Sequence, residues 1–361
     1  MTLAEVLLNV LLAAAATALL WTVVLFADGL RILFATMRRK AAARPLRLDV
    51  VARDDPTLEL FHVRLAGRGL RPLPAFRPGQ AVMIRTPAGQ RMYSLAGWQP
   101  EPGYWELAIR NQGRVSGWLH AHAVIGRRLE LSVPRGSFVL DGADKAPVVL
   151  VGAGVGITPL RAMLHRLRDL PAPPPVTLWH ACRREGDLLW RDEFEALAAR
   201  AEWFCYRPVL SRPNGSWPGE QGRLDAARLR PNAHPEDTRY YLCASAAMMD
   251  ELAAKLAAAG VEAALIHREA FGVSASADGP SHELMLPDGR CVAATEGVPL
   301  LAVLEEHGCA PVAECRAGEC GCCLVQLRGP VRYLLEPAFA VPDGQVAACC
   351  ATASGRVELT A

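Results

Sequence analysis

The rhythm of polar and apolar positions changes along the chain, and each change predicts a different kind of element. From Val6 to Phe26 only Asn9, Thr17 and Thr22 interrupt a 21-residue apolar run, long enough to cross a bilayer as a helix. No Lys or Arg precedes it, whereas Arg31, Arg38, Arg39 and Lys40 follow. The expectation is a single-pass anchor in the cell inner membrane with all later residues in the cytoplasm. A secretory signal would want a basic start, which is missing; a buried or interfacial helix, extended by Asp28 to Lys40, is the alternative. From Leu46 to Leu140 the pattern turns to short alternating segments broken by Gly and Pro. Leu58 to Leu65, Ala81 to Arg85, Trp105 to Arg110 and Leu129 to Val133 predict an antiparallel β-barrel.

Beyond Ala146 the rhythm is strand and helix in alternation. Val176 to Cys182, Phe204 to Ser211 and Tyr240 to Cys243 read as strands, and Arg161 to Leu170, Leu188 to Arg200 and Met248 to Ala259 as helices, which predicts an α/β domain with a parallel sheet. The block Gly272 to Pro280 is small and polar, as a linker would be. A turn at Pro287-Asp-Gly-Arg, a helix over Leu300 to Glu306 and a cysteine-rich loop follow. The chain is therefore multi-domain α+β, divided as 1–40, 45–143, 146–271 and 281–361.

Composition changes this picture in one place. A formal net charge of +2 gives no electrostatic reason to expect nucleic acid. Of 11 cysteines, seven lie between Cys309 and Cys350, which suggests a local metal centre rather than a stapled scaffold. Cys315-x4-Cys320-x2-Cys323 with a later cysteine has the spacing of a plant-type 2Fe–2S ligand set. Three thiolates must converge from one tight loop, which Ala317, Gly318 and Gly321 allow. A zinc site would want a second cysteine knuckle or a histidine pair. Cys349 and Cys350 are both open as the fourth ligand on spacing alone.

Two further motifs sit where a cofactor would. Arg91-Met-Tyr93-Ser94 falls on a barrel strand, and Gly113-Arg-Val115-Ser116 opens a helix, where backbone N–H groups can hold a phosphate. Gly152-Ala-Gly154-Val-Gly156-Ile-Thr158-Pro159 joins an apolar strand to a helix, as a nucleotide-binding turn must.

On these motifs and their order the chain, from Leu46 to Ala361, resembles the ferredoxin–NADP reductase superfamily, in the phthalate dioxygenase reductase type of arrangement. The resemblance implies a flavin-binding barrel, an NAD(P)H-binding domain and a C-terminal β-grasp ferredoxin. It implies that Arg91 pairs with the flavin phosphate, that Tyr93 packs on the flavin and that Ser94 lies near its N5. Gly113, Val115 and Ser116 would form the second phosphate loop. Gly152, Gly154, Gly156 and Pro159 would shape the nucleotide turn, with Thr158 beside the nicotinamide. Cys243 stands where the family has a Cys-Gly-Pro segment, though Ala244-Ser245 replaces the last two residues and a buried structural thiol is the alternative. Arg183 would contact the adenosine. Phe271, in Glu269-Ala-Phe271-Gly272, would pack at the flavin. Among ferredoxins the last ligand lies in a segment like Ala347-Ala-Cys349-Cys350-Ala, which favours Cys349.

By the same resemblance the cofactors are the 2Fe–2S cluster, FAD with FMN as the alternative, and NADH with NADPH left open by Arg184 and Arg212. The implied activity is an NAD(P)H-dependent oxidoreductase feeding an oxygenase, hydroxylase or desaturase. A membrane respiratory NADH dehydrogenase-type subunit, and a redox sensor using the cluster, are the alternatives.

Overall fold

Leu48 and Val50 alternate with Arg47, Asp49 and Val51 and turn one face inward, which makes Leu46–Thr57 the first strand, β1. No strand before Leu58 was expected; the polar run Arg53 to Asp55 hides one that its partners impose. The structure, a computed structural model, describes residues 45–69, 72–140, 146–229, 237–270, 278–311, 313, 316–318, 321–337 and 339–360. The expected anchor and basic flank, 1–40, lie outside the described residues. Among those described, no helix is long and apolar enough to cross a membrane.

β1 pairs antiparallel with β2, Leu60–Ala66. With β3 (Ala81–Thr86), β4 (Gly89–Ser94), β5 (Trp105–Arg110) and β6 (Arg128–Leu131) they form a six-stranded sheet in the order β4-β3-β6-β1-β2-β5. Its end strands β4 and β5 come together, so the sheet closes as the expected barrel. Helix α1, Arg114–His122, packs over β3 and β4.

The second sheet holds β7 (Val148–Ala153), β8 (Val176–Cys182), β9 (Phe204–Leu210), β10 (Glu220–Gln221), β11 (Arg239–Ala244) and β12 (Ile266–Ala270), in the order β10-β9-β8-β7-β11-β12. Its paired strands run parallel. Successive residues of β7 face opposite cores, Leu150 one way with Leu160, Leu164 and Phe194, Val149 and Val151 the other way with Leu252 and Leu256. The chain builds outward from β7 to β10 and then returns to the other side of β7, so the strand order reverses between β7 and β11, the usual place for a ligand crevice.

The helices here are α2 (Ile157–Arg168), α3 (Arg191–Ala198), α4 (Ala226–Leu229) and α5 (Ala246–Ala258). α2 was expected only from Arg161. It begins four residues earlier because Pro159 falls in the first turn, where its missing N–H has no intrahelical carbonyl to lose. α3 is shorter than expected, since Trp190 takes a left-handed backbone at φ 56° and stops the helix from starting at Leu188.

The last module places β13 (Ser281–Met285), β14 (Cys291–Thr295), β15 (Leu324–Arg328), β17 (Gln345–Ala347) and β19 (Val357–Thr360) in one sheet, ordered β14-β13-β19-β15-β17. β16 (Val331–Tyr333) and β18 (Ala351–Ala353) form a separate ladder. Helix α6, Leu300–Glu306, buries Leu300, Leu301 and Leu304 against the sheet, as a β-grasp requires. Residues 47–361 form one compact unit.

Candidate functional site

Strand β4 ends in the Arg91–Ser94 motif, and its residues line a cleft of about 410 Å³, within the usual size range of a cofactor pocket. All three modules contribute to it: Arg91, Tyr93 and Ser94 from the barrel, Val155 and Thr158 from the nucleotide turn, Arg316 from the cysteine loop. The residues expected to form a second phosphate loop line the same cleft. Gly113, Val115 and Ser116 line the cleft at the start of α1, where Ser116 Oγ accepts from the N–H groups of Gln112 (3.1 Å) and Gly113 (2.9 Å). Arg110, Arg114 and Arg135 join Arg91 around the opening, giving the cleft more cations than its Glu269 and Glu305 balance.

The Tyr93 hydroxyl is buried, faces this cleft and has no hydrogen-bond partner among the described residues. Burial pushes it up to about 12, so it keeps its proton. A buried hydroxyl without a partner is uncommon, and a flavin's polar edge or ribityl chain would satisfy it. Together with the guanidinium groups of Arg91, Arg114 and Arg135 lining the cleft, this set fits a flavin nucleotide.

Opposite, one row of the parallel sheet brings three expected and unexpected residues together. Cys243 on β11 aligns with Gly152 on β7 and with Glu269 on β12. Glu269 Oε2 accepts from Ser94 Oγ at 3.1 Å and lies 3.9 Å from Cys243 Sγ, in a buried cluster. Glu269 lies in the Glu-x-Phe-Gly segment, and its place beside Cys243 is set by strand pairing, which sequence spacing does not carry. Gly156 must be glycine, because a Cβ there would stand 1.9 Å from the Cys243 carbonyl oxygen. This contact seats the turn directly on the end of β11, with Thr158 in the first turn of α2 lining the cleft. Thr158 is buried and donates from Oγ1 to Val155 O at 2.9 Å, and Pro159 is buried beside it. The start of α2 presents the positive end of its dipole to the cleft, which fits an anionic nucleotide.

Arg183 stands apart: it is exposed at the end of β8, does not line the cleft, and its carbonyl accepts from Arg212 N at 2.9 Å. Phe271 follows β12 and lies outside the described residues.

In the last module Cys315 and Cys320 lie outside the described residues, whereas Cys323 and Cys349 are both buried. The Cys349 thiol hydrogen-bonds Cys323 and draws it down to about 6 against the effect of burial. Two adjacent buried thiols fit a soft iron–sulfur core. Cys350 is differently occupied. Its Sγ donates to Ala347 O at 3.4 Å, and a Cβ on Gly318, which has φ 71°, would come within 3.1 Å of it. Next to this loop Arg316 pairs with Glu305 through two hydrogen bonds, one of 2.9 Å between Nη1 and Oε2. Gln90 Nε2 on β4 donates to Ala313 O at 2.8 Å, tying the barrel to the cysteine loop. Neither Gln90 nor this pair carried a sequence signal, since each is defined by a partner more than ten residues away.

With this geometry in view, residues 150–254 match the oxidoreductase NAD-binding domain family and residues 285–354 the 2Fe-2S iron-sulfur cluster binding domain family. A flavohemoprotein of Bordetella pertussis is 32% identical over 239 residues, covering 62% of this chain and 60% of the relative. One of Bacillus subtilis is 29% identical over 233 residues, covering 62% of this chain and 58% of the relative. The chain thus spans about three fifths of the length of the curated relatives it matches. Among solved structures, an Amycolatopsis cytochrome P450 reductase is 29% identical with a TM-score of 0.58, over 63% of this chain and 70% of the other. Phthalate dioxygenase reductase, described as a modular structure for electron transfer from pyridine nucleotides to 2Fe-2S, has a TM-score of 0.64 over 88% of this chain and 98% of the other. At 22% identity that likeness shows the fold, and it extends through the last module.

Proposed function

We propose, for a chain that is an NAD(P)H-dependent oxidoreductase of the ferredoxin-reductase type with a C-terminal 2Fe–2S domain, that it passes electrons from NADH through a flavin to the cluster and on to an oxygenase, hydroxylase or desaturase. The observation that carries this reading is the shared cleft: barrel, nucleotide turn and cysteine loop line one cavity, so donor, carrier and acceptor sites adjoin. FAD is the preferred flavin, supported by a Vibrio cholerae nitric oxide dioxygenase domain described as FAD/NAD binding, 26% identical with a TM-score of 0.57 over 63% of this chain and 98% of the other.

When bound, the flavin supplies a group that takes two electrons as hydride and releases them singly to a one-electron centre. The chain's own residues do the rest. Arg91 and the start of α1 hold the phosphates, and Tyr93 orients the ring system by packing and by its hydroxyl. The first turn of α2, with Thr158, holds the nicotinamide end of the dinucleotide. Ser94 Oγ donates to Glu269 Oε2 at 3.1 Å, and this buried pair keeps a proton available at the hydroxyl, with Cys243 packed behind Glu269. Cys315, Cys320, Cys323 and Cys349 hold the cluster. The oxygenase-type acceptor is favoured because the relatives in structure include reductases of dioxygenase and P450 systems, some joined to a P450 in one chain. The membrane tether at Val6 to Phe26, with the domains on the cytoplasmic side, is part of the proposal and rests on sequence.

An anaerobic titration with NADH tests it, following the visible spectrum and then freezing for EPR. Flavin bleaching together with a rhombic reduced-cluster signal is the expected result. In Cys315→Ser, NADH still bleaches the flavin but delivery of single electrons to cytochrome c is lost. Equal loss of both would sink the scheme.

A further inference from the structure

We propose that Arg161 and Glu106 are positioning residues: a buried ionic clamp that sets the nucleotide domain against the barrel and thereby fixes the hydride-transfer geometry. The inference rests on the functional reading of the cleft given above. Arg161, on α2, and Glu106, on β5, are only 7% and 4% exposed, and they meet where the two domains touch. Arg161 Nη1 donates to Glu106 Oε2 at 2.7 Å and to the Ala96 carbonyl at 3.0 Å. Its Nε donates to Glu193 Oε2 at 2.8 Å on α3, and the other Glu193 oxygen meets His165 Nε2 at 2.6 Å. On the barrel side Glu106 Oε1 accepts from Arg64 Nε at 2.8 Å. The Trp190 indole covers the guanidinium at 4.5 Å and meets His62 edge-on, sealing the group from solvent.

Four features separate this clamp from ordinary domain packing. First, it is ionic on both sides of a domain boundary, whereas the sheet cores beside it are apolar. Buried ion pairs are weak contributors to stability, because desolvation offsets their attraction; what they add is a fixed direction. Second, Arg161 uses three nitrogen-borne bonds to three different segments, so α2 can neither slide nor turn without breaking one.

Third, the clamp sits one step behind the cleft on both elements. Thr158 precedes Arg161 by three residues, one turn of the same helix, and lines the cleft. Ala108, Ile109 and Arg110 follow Glu106 on the same strand and line it from the barrel side. Fourth, neither residue touches the cleft itself, so neither acts on the reacting atoms. Their role is to hold the face that carries the nicotinamide at a set distance from the face that carries the flavin. Hydride transfer depends steeply on that distance; a misplacement of about 1 Å costs on the order of a hundredfold in rate.

The test compares full-length wild type with Glu106→Gln and Arg161→Lys. Glu106→Gln keeps the shape and one acceptor but removes the charge, and Arg161→Lys keeps the charge but loses the fork. Melting temperature and flavin content establish that each is folded. Rapid mixing with NADH without oxygen then gives the limiting rate of flavin reduction, the NADH dependence of that rate, and the long-wavelength charge-transfer band of nicotinamide stacked on flavin. In the flavin-free protein, hydrogen exchange of the α2 amides reports the clamp directly. The expected result is a limiting rate about tenfold or more lower, a weakened band and faster α2 exchange, with the NADH half-saturation changed less than about twofold. A folded variant with wild-type rate, band and exchange overturns the inference, and so does a rate loss wholly accounted for by lost flavin. Should both clamp variants fail to fold, Glu193→Gln at the half-exposed end of the network is read by the same criteria. A wild type in which NADH fails to reduce the flavin at all would strike the functional reading instead, leaving the clamp to be judged by exchange alone.

Discussion

Cys323 and Cys349 form a pair that Cys350 does not join, although Cys349 and Cys350 are neighbours in sequence and both are buried. The difference lies in where the thiols are committed: Cys349 to Cys323, Cys350 to the Ala347 carbonyl. Replacing Cys349 with serine is therefore expected to abolish the visible absorbance of the cluster, while Cys350→Ser keeps it; loss of the cluster in both, or only in Cys350→Ser, would reverse the assignment. Spacing alone left this choice open because adjacent residues after a strand differ in side-chain direction, which a count of intervening residues does not carry. Glu269 shows the same limit from the other side. Its motif was legible, but its contact with Ser94 links residues 175 positions apart and exists only once two sheets have been set together.

At the scale of elements, the sequence was most legible where local chemistry decides the structure. Glycines at a strand end and a proline in a first helical turn placed the nucleotide turn, and Gly156 shows why substitution is barred: its neighbour is the carbonyl of Cys243 on an adjacent strand. It was least legible where partners decide. β1 forms from a stretch containing Arg53, Asp54 and Asp55 because β2 and β6 flank it. The tie between α2 and α3 is of this second kind, and it makes a prediction about pH. Burial would raise the Glu193 carboxyl, but the His165 hydrogen bond and the Arg161 charge outweigh it and hold the group at about 2, below its ordinary 4.5. A carboxyl lowered in the folded state contributes stability that is fully present above 4.5 and lost as the pH falls toward 2. Wild type should thus lose more melting temperature between about pH 5 and about pH 3 than Glu193→Gln does, since the variant has nothing to protonate there. Calorimetric scans across that range check it, and parallel curves for the two proteins would refute it.

For the whole molecule, the order of modules was readable because three motifs follow one another along the chain; how the modules touch was not. The cleft belongs to all three, and one tie to the cysteine loop is Gln90, which precedes the Arg91–Ser94 motif without being part of it. That bond has a consequence for how electrons divide. On the proposed route hydride would arrive as a pair, whereas a 2Fe–2S centre takes one electron at a time, so delivery to the cluster would happen twice per turnover and be exposed twice to any loosening of the loop. Gln90 Nε2 holds the Ala313 carbonyl at 2.8 Å, two residues before Cys315. Leucine at this position keeps similar bulk and removes the donor, leaving the Ala313 carbonyl unpaired at a part-buried site, at a cost of about 1–3 kcal/mol to this contact. The loop should then populate arrangements farther from the cleft. Gln90→Leu is accordingly expected to slow the rise of the reduced-cluster EPR signal several-fold more than it slows flavin bleaching. Rapid-freeze samples taken alongside stopped-flow traces measure both on one clock. If the two slow in proportion, Gln90 acts on the flavin side alone and the tie between barrel and cysteine loop has no part in electron delivery.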